Sequence, residues 1–223
     1  MQNKFTLDPD LVLMYVARVL ALLTAIPLHE TAHAFISYKL GDSTAKDLGR
    51  ISLNPIRHFD LIGALFMLLV GFGYAKPVPI NTSFYANKKM SMALSSLAGP
   101  LANFIQAFFL MIVLKIMYMV HIVNPSSFAV YAVMVVLEYM VAINIVLAVF
   151  NMLPIPPLDG SRIFLLFLPE RVYFGLMRYE RYMTLGLFLI ASSGFLNGIL
   201  AKMQESLYVL LSNATIFIDM LFT

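Results

Sequence analysis

Residues 11–37 are almost continuously apolar. A helix needs about 20 such residues to cross the hydrocarbon core of a bilayer. No water reaches the backbone there, so a run of this kind is stable as a helix that closes every hydrogen bond on itself. Comparable runs recur at 92–120, 128–152 and 182–203. A shorter one, 61–73, falls below spanning length and reads as a re-entrant or half-buried piece. The tail, 206–223, is apolar but carries Asn213 and Asp219, and it either crosses or lies along the surface. Composition agrees, with 61% of the 223 residues hydrophobic and only 12% charged. A soluble domain carries fewer apolar residues. The expected fold is an all-α membrane protein. It is a polytopic helical bundle of about four to six membrane segments, with a small re-entrant or β-hairpin-like element between the first and second full spans.

The chain has no cysteine, which excludes disulfides, thiolate metal sites and a cysteine nucleophile. Its formal net charge of +3 is too small to point to nucleic acid. Asp8 and Asp10 stand where a signal peptide would be positive, and Arg18 interrupts the apolar run, so 11–37 reads as a retained helix. Two polar stretches break the apolar pattern, at 38–60 and 74–91. In the second, Pro77 and Pro79 exclude a helix interior or a central strand and leave an edge strand or extended loop. A further helix-breaking knot, "LPIPPLDG", occupies 153–160.

Lysine and arginine orient these segments. Lys39, Lys46, Arg50, Arg57, Lys76, Lys88 and Lys89 fall in 38–91, and Arg162, Arg171, Arg178 and Arg181 in 153–181. The connection at 121–127 has neither residue type. The positive-inside rule assigns the two basic stretches to the cytoplasm and the N-terminus to the outside. The cytoplasmic half of the first helix then holds His29, Glu30 and His33.

Those three residues are the ones that lipid should exclude. His29 and His33 are four apart, hence one turn apart on one helix face. That spacing lets two imidazoles reach one metal ion, with Glu30 beside them as a carboxylate that takes a proton from water at the metal. The bland alternative is a helix end with polar residues at the interface, but ionisable groups inside a span are costly and default to function. A catalytic zinc usually has three protein ligands and one open position. His121 falls in the outer connection, on the wrong side. Asp159 is the best third ligand, because it lies just past the 128–152 run, where Pro154, Pro156, Pro157 and Gly160 break and turn the chain.

These residues resemble the site-2 protease family, intramembrane zinc metalloproteases whose hallmarks are His-Glu-x-x-His in one membrane helix and Leu-Asp-Gly in another. Here they are residues 29–33 and 158–160. "NPIRHFDLIG" (54–63), "GYAKPVPIN" (73–81) and "AGPLANF" (98–104) also match family motifs in order and spacing, so the likeness spans roughly 20 to 165. One departure is Leu61, where the family often has proline. The chain resembles a compact form, without a PDZ or CBS domain. The resemblance implies a single integral-membrane protease domain over 1–223, with a catalytic core at about 11–165 and C-terminal helices at about 166–223. It implies one zinc ion per chain, held by His29, His33 and Asp159, with Glu30 as general base. The substrate would be a transmembrane protein, with membrane lipid around the enzyme, no nucleic acid, and homo-oligomer formation left open. The expected location is the cytoplasmic membrane of a prokaryote, with the site in the cytoplasmic half of the bilayer.

The resemblance sets Asn103 near the active site as a residue that helps hold substrate; a helix cap or close-packing role is an equally fair reading. Pro77, Val78 and Pro79 form the candidate edge to which an unwound substrate adds as a strand. Asn151 is a candidate support for the Asp159 knot, and His58 and Asp60 a hydrogen-bonded pair that fixes their loop. Glu138, near the middle of a span, is expected to face the bundle interior or a water-filled cavity. Three other readings fit the residues: a proteolytically inactive scaffold of the same fold, a small metal or proton transporter, and a zinc hydrolase acting on a lipid or other small substrate.

Overall fold

In the computed structural model, residues 8–70 and 75–221 are described. Helix α1 (Pro9–Lys39) starts where the Asp8 side chain accepts from the Asp10 amide and Pro9 supplies a preset first turn. It ends at Leu40, and Gly41 follows at φ 111°. A one-turn helix, α2 (Thr44–Asp47), and the short α3 (Leu61–Val70) precede the long α4 (Lys88–Val123). Next come α5 (Phe128–Asn151), α6 (Asp159–Phe164), α7 (Glu170–Met177), α8 (Glu180–Ser192), α9 (Asn197–Ala214) and α10 (Ile216–Leu221). Asn87 and Ser127 cap α4 and α5 by accepting from the Met90 and Val130 amides.

Among the described residues, three helices, α1, α4 and α5, are long and apolar enough to cross a membrane. They pack on one another. Ala17, Ala21 and Ala25, each four residues after the last, are fully buried along one face of α1. Small side chains at that spacing let neighbouring helices approach closely. Ile143 and Leu147 of α5 pack against this face. Farther along, Ala107, Met111 and Leu114 of α4 meet Val141 and Ile145 of α5 in a second cluster. The opposite faces leave Val12, Val16, Val19 and Leu23 of α1 exposed, apolar groups that suit lipid rather than water.

The spans expected at 11–37, 92–120 and 128–152 appear as α1, α4 and α5. The run at 182–203 is not one helix: α8 and α9 are separated by a turn in which Gly194 has φ 76°, a left-handed conformation that suits glycine. No strand occurs among the described residues, and residues 75–81 run as an irregular extended segment. Of the short 61–73 run, 61–70 form α3, and 71–74 lie outside the described residues.

The irregular parts are tied down by polar side chains. Asp60 caps α3 by accepting from the Ile62 and Gly63 amides. Near its other end, Arg18 of α1 donates to the Leu68 carbonyl at 2.8 Å. A cation at the last turn satisfies carbonyls that have no intrahelical donor, which is why an arginine sits inside the first apolar run. Lys115 of α4 donates to the Ser212 carbonyl at 2.8 Å and pairs with Asp219 at 2.5 Å, fastening α9 and α10.

Asp42, buried just after α1, accepts from Ser37 Oγ at 3.1 Å, the Thr44 amide at 3.0 Å and the Asn81 amide at 2.8 Å. It therefore locks the end of α1 to the end of the extended segment. Burial opposes its charge, but the hydrogen bonds outweigh it and hold the carboxyl below the usual carboxylate range. The unfolded chain takes up that proton first as pH falls. The stabilisation is therefore complete above the unfolded value of about 3.9 and is lost as pH drops through the folded one. Asp42→Asn turns an amide donor toward existing donors. It is expected to cost about 1–3 kcal/mol at neutral pH. In thermal melts in detergent, the gap from the wild type should narrow below about pH 4.

Candidate metal centre

His29 and His33 project from one face of α1, their ring centroids 4.6 Å apart. Asp159 is the first residue of α6, reached from α5 through the proline-rich loop. Its Oδ2 lies 3.2 Å from His29 Nε2 and 3.3 Å from His33 Nε2. One candidate ligand atom from each residue fits within 4.8 Å of the others.

The other nitrogen of each imidazole is engaged by α4. His29 Nδ1–H donates to Asn103 Oδ1 at 2.5 Å, and His33 Nδ1–H donates to the Ser95 carbonyl at 2.7 Å. With those hydrogens committed, both Nε2 lone pairs are free for a cation. Asn103 is itself fixed, donating to the Ala25 carbonyl at 3.2 Å and to Asn144 Oδ1 at 3.1 Å. Asn144 in turn donates to the Met140 carbonyl at 2.9 Å. The line of hydrogen bonds from α5 through α4 to His29 is fully buried at Asn144 and Asn103.

Two glycines permit this approach. A Cβ on Gly99 of α4 would stand 2.4 Å from His33 Nε2 and 2.6 Å from His29 Nε2. A Cβ on Gly160 would stand 2.2 Å from the Met152 carbonyl oxygen, so Gly160 lets α6 turn tightly against the end of α5. Two imidazole nitrogens and a carboxylate oxygen, all acceptors and all converging, are a donor set that suits zinc with a position left open.

Glu30 stands outside this triad, half-buried, within electrostatic reach of His33 and Arg50. Thr31, inside the motif, donates to the Ser52 carbonyl at 2.6 Å, and His58 Nε2 reaches the same oxygen at 2.6 Å. Thr31 thereby binds the 51–58 loop to α1, while His58 closes that loop on itself. His58 and Asp60 thus serve different neighbours, the loop and the α3 cap, rather than each other. Arg50, also buried, donates to the carbonyls of Lys76 at 2.5 Å and Pro77 at 3.1 Å. The Lys76 amide bonds back to the His58 carbonyl at 2.9 Å. Val78 and Pro79 follow, half-buried. Asn151 donates to the Leu147 carbonyl at 3.0 Å, a bond within its own helix. Glu138 faces Tyr118 of α4 and Tyr208 of α9. Sequence reasoning missed Ser95 and Arg50. The small-residue run "SSLAGP" is the signal by which Ser95 could have been found, since such a face admits a close neighbour.

The model of peptidase family M50 matches residues 17–192. The Bacillus subtilis protein YwhC, named as a candidate zinc metalloprotease, is 38% identical over 164 residues, covering 74% of each chain. Rip2 of Mycolicibacterium smegmatis, with the same designation, is 28% identical over 144 residues, covering 62% of this chain and 52% of its own. Rip2 of Mycobacterium tuberculosis is 28% identical over 153 residues, covering 66% and 55%. No solved structure matches the chain.

Gly99→Val fills the space that the imidazoles occupy and is expected to abolish metal retention, read as zinc per chain after purification. Asn103→Ala leaves the ligands in place but frees the His29 ring. Its zinc affinity is expected to fall about 10- to 100-fold in a chelator competition.

Proposed function

The chain belongs to peptidase family M50, the site-2 protease family, and is a membrane metalloprotease; from that premise we propose that it hydrolyses a peptide bond in or near a transmembrane segment of a membrane-protein substrate. The observation that carries this reading is the convergence of Asp159 of α6 on His29 and His33 of α1, a helix whose residues Leu23 and Phe35, on either side of the histidines, are exposed and apolar. Groups of this polarity are worth burying in a membrane bundle when the bond to be cut lies there too.

We assign His29, His33 and Asp159 as the ligands of one zinc ion per chain. When bound, zinc polarises a carbonyl and lowers the pKa of water. Glu30 adjoins His29 and acts as general base and then general acid: its carboxylate accepts the proton of the attacking water and returns it to the leaving amine nitrogen. By the positive-inside rule this end of the bundle faces the cytoplasm of a prokaryotic cell, and α3 is a re-entrant element beside it.

A helical substrate conceals its carbonyls in its own hydrogen bonds, so it must unwind before cleavage. The extended segment 75–81 offers the unwound chain a partner. Residues two apart in an extended chain turn their backbone groups the same way. Val78 and Ile80 therefore offer a donor and an acceptor each on one side, and no backbone hydrogen bond engages them among the described residues. On the other side Pro77 and Pro79 have no N–H to offer, and Arg50 already holds the Pro77 carbonyl. The edge accepts a strand on one side only. Arg50, which holds the Lys76 and Pro77 carbonyls, is also within electrostatic reach of Glu30.

Glu30→Gln is expected to retain zinc while cleavage of single-span test substrates falls about 100-fold or more. Asp159→Ala and His33→Ala should lose both. A Glu30→Gln protein that cleaves at the wild-type rate overturns the assignment. Val78→Pro deletes the donor from the open side of the edge. It is expected to raise KM for membrane substrates with zinc content unchanged; an unaltered KM rejects the edge.

A further inference from the structure

Where α9 runs beside α4 and α5, the three helices do not close on one another. A cavity of about 490 Å³ lies between them, at the end of the bundle that carries the metal centre. Its walls include Leu97 and Phe104 of α4, Val149 of α5, and Met203 and Leu207 of α9. Among the described lining residues only Lys202 is charged. Lys202 is exposed, and the ion pairs of this region and the far end of α9 run elsewhere, between Arg162 and Glu180 and between Lys115 and Asp219.

The gap is built into the packing. At one end Leu196, which leads into α9, packs with Leu153, Leu158 and Leu187. At the other, Leu211 joins the core with Met111 and Leu114, and Lys115 holds Ser212 and Asp219. Pinned at both ends, α9 bridges the space and cannot collapse into it. An apolar cleft of this kind does not suit water, which needs two or more polar partners. A substrate helix about 10 Å across would fill the volume in little more than one turn. A slender acyl chain fits along it, and a lysine at its edge complements a negative headgroup.

We propose that this cleft binds an anionic phospholipid, one acyl chain between α4, α5 and α9 and the headgroup phosphate on Lys202. Pro100 and Met152 also line it. Gly99, next to Pro100, packs on the two imidazoles, and the Met152 carbonyl packs on Gly160 beside Asp159. The lipid therefore lies against the back of both segments that shape the metal centre.

The chain has no tryptophan, so one introduced on the cleft wall is a unique fluorescent reporter. Phe104→Trp and, separately, Leu207→Trp are reconstituted in phosphatidylcholine vesicles containing a small fraction of phosphatidylglycerol, with bromine on one lipid or the other. At equal mole fraction, brominated phosphatidylglycerol is expected to quench several-fold more than brominated phosphatidylcholine. Adding Lys202→Gln, a change at an exposed position, should make the two lipids equal. Equal quenching by both lipids with the lysine present, or a preference that survives Lys202→Gln, overturns the site. Two reporters on opposite walls keep the test intact if one variant does not fold.

Discussion

Two imidazoles and a carboxylate buried among apolar helices strip water from three groups at once, and only a positive charge between them offsets that cost. Each group must also be held with its lone pair aimed inward, or the charge finds no site. α4 meets both demands. Asn103 and the Ser95 carbonyl take the outer hydrogens of the rings, and Gly99 leaves the room the rings need. The close packing of α1, α4 and α5 is therefore a condition of the site as well as the core of the fold. A shift of one helix by about an ångström or more would uncouple the ring from its partner.

Irregular backbone near the membrane raises a second problem of the same kind, since unpaired N–H and C=O groups are costly there. The chain answers it with long-range polar clasps. Arg18 reaches the end of α3, Arg50 holds the carbonyls of the extended segment, and Asp42 gathers donors from three places. Arg18 joins α1 to α3, and Arg50 and Asp42 join the loop after α1 to the extended segment. On the proposed reading, Arg50 and Asp42 thereby also fix the edge offered to substrate.

Much of this was legible in the sequence. Apolar runs of spanning length gave α1, α4 and α5 because the bilayer imposes length and helicity together. The spacing of His29 and His33, the absence of cysteine and the helix-breaking knot around Asp159 pointed to one cluster, and the structure brings those three residues together. What sequence could not supply was partner choice. The resemblance set Asn103 near the active site, as a substrate contact or a cap, but nothing in its neighbourhood signals its bond to His29, 74 residues away. His58 and Asp60, two apart, read as a pair, yet one bonds Ser52 and the other caps α3. Proximity in sequence is a weak guide in loops, where each side chain turns to a different wall. The break between α8 and α9 is marked by the turn-forming cluster "SSGFLNG" (192–198), which the apolar residues on either side of it mask in a count of spanning length.

The central claim is that zinc is held by two imidazoles of α1 and one carboxylate of α6. X-ray absorption at the zinc edge of the purified protein in detergent tests it most directly. The account predicts about one zinc per chain, with two imidazole nitrogens near 2.0–2.1 Å, oxygen completing a four-coordinate shell, and no sulfur. It also predicts that Asp159→Ala empties the site. A shell without the two imidazoles, or a wild-type protein that takes up no zinc when it is supplied, would contradict it.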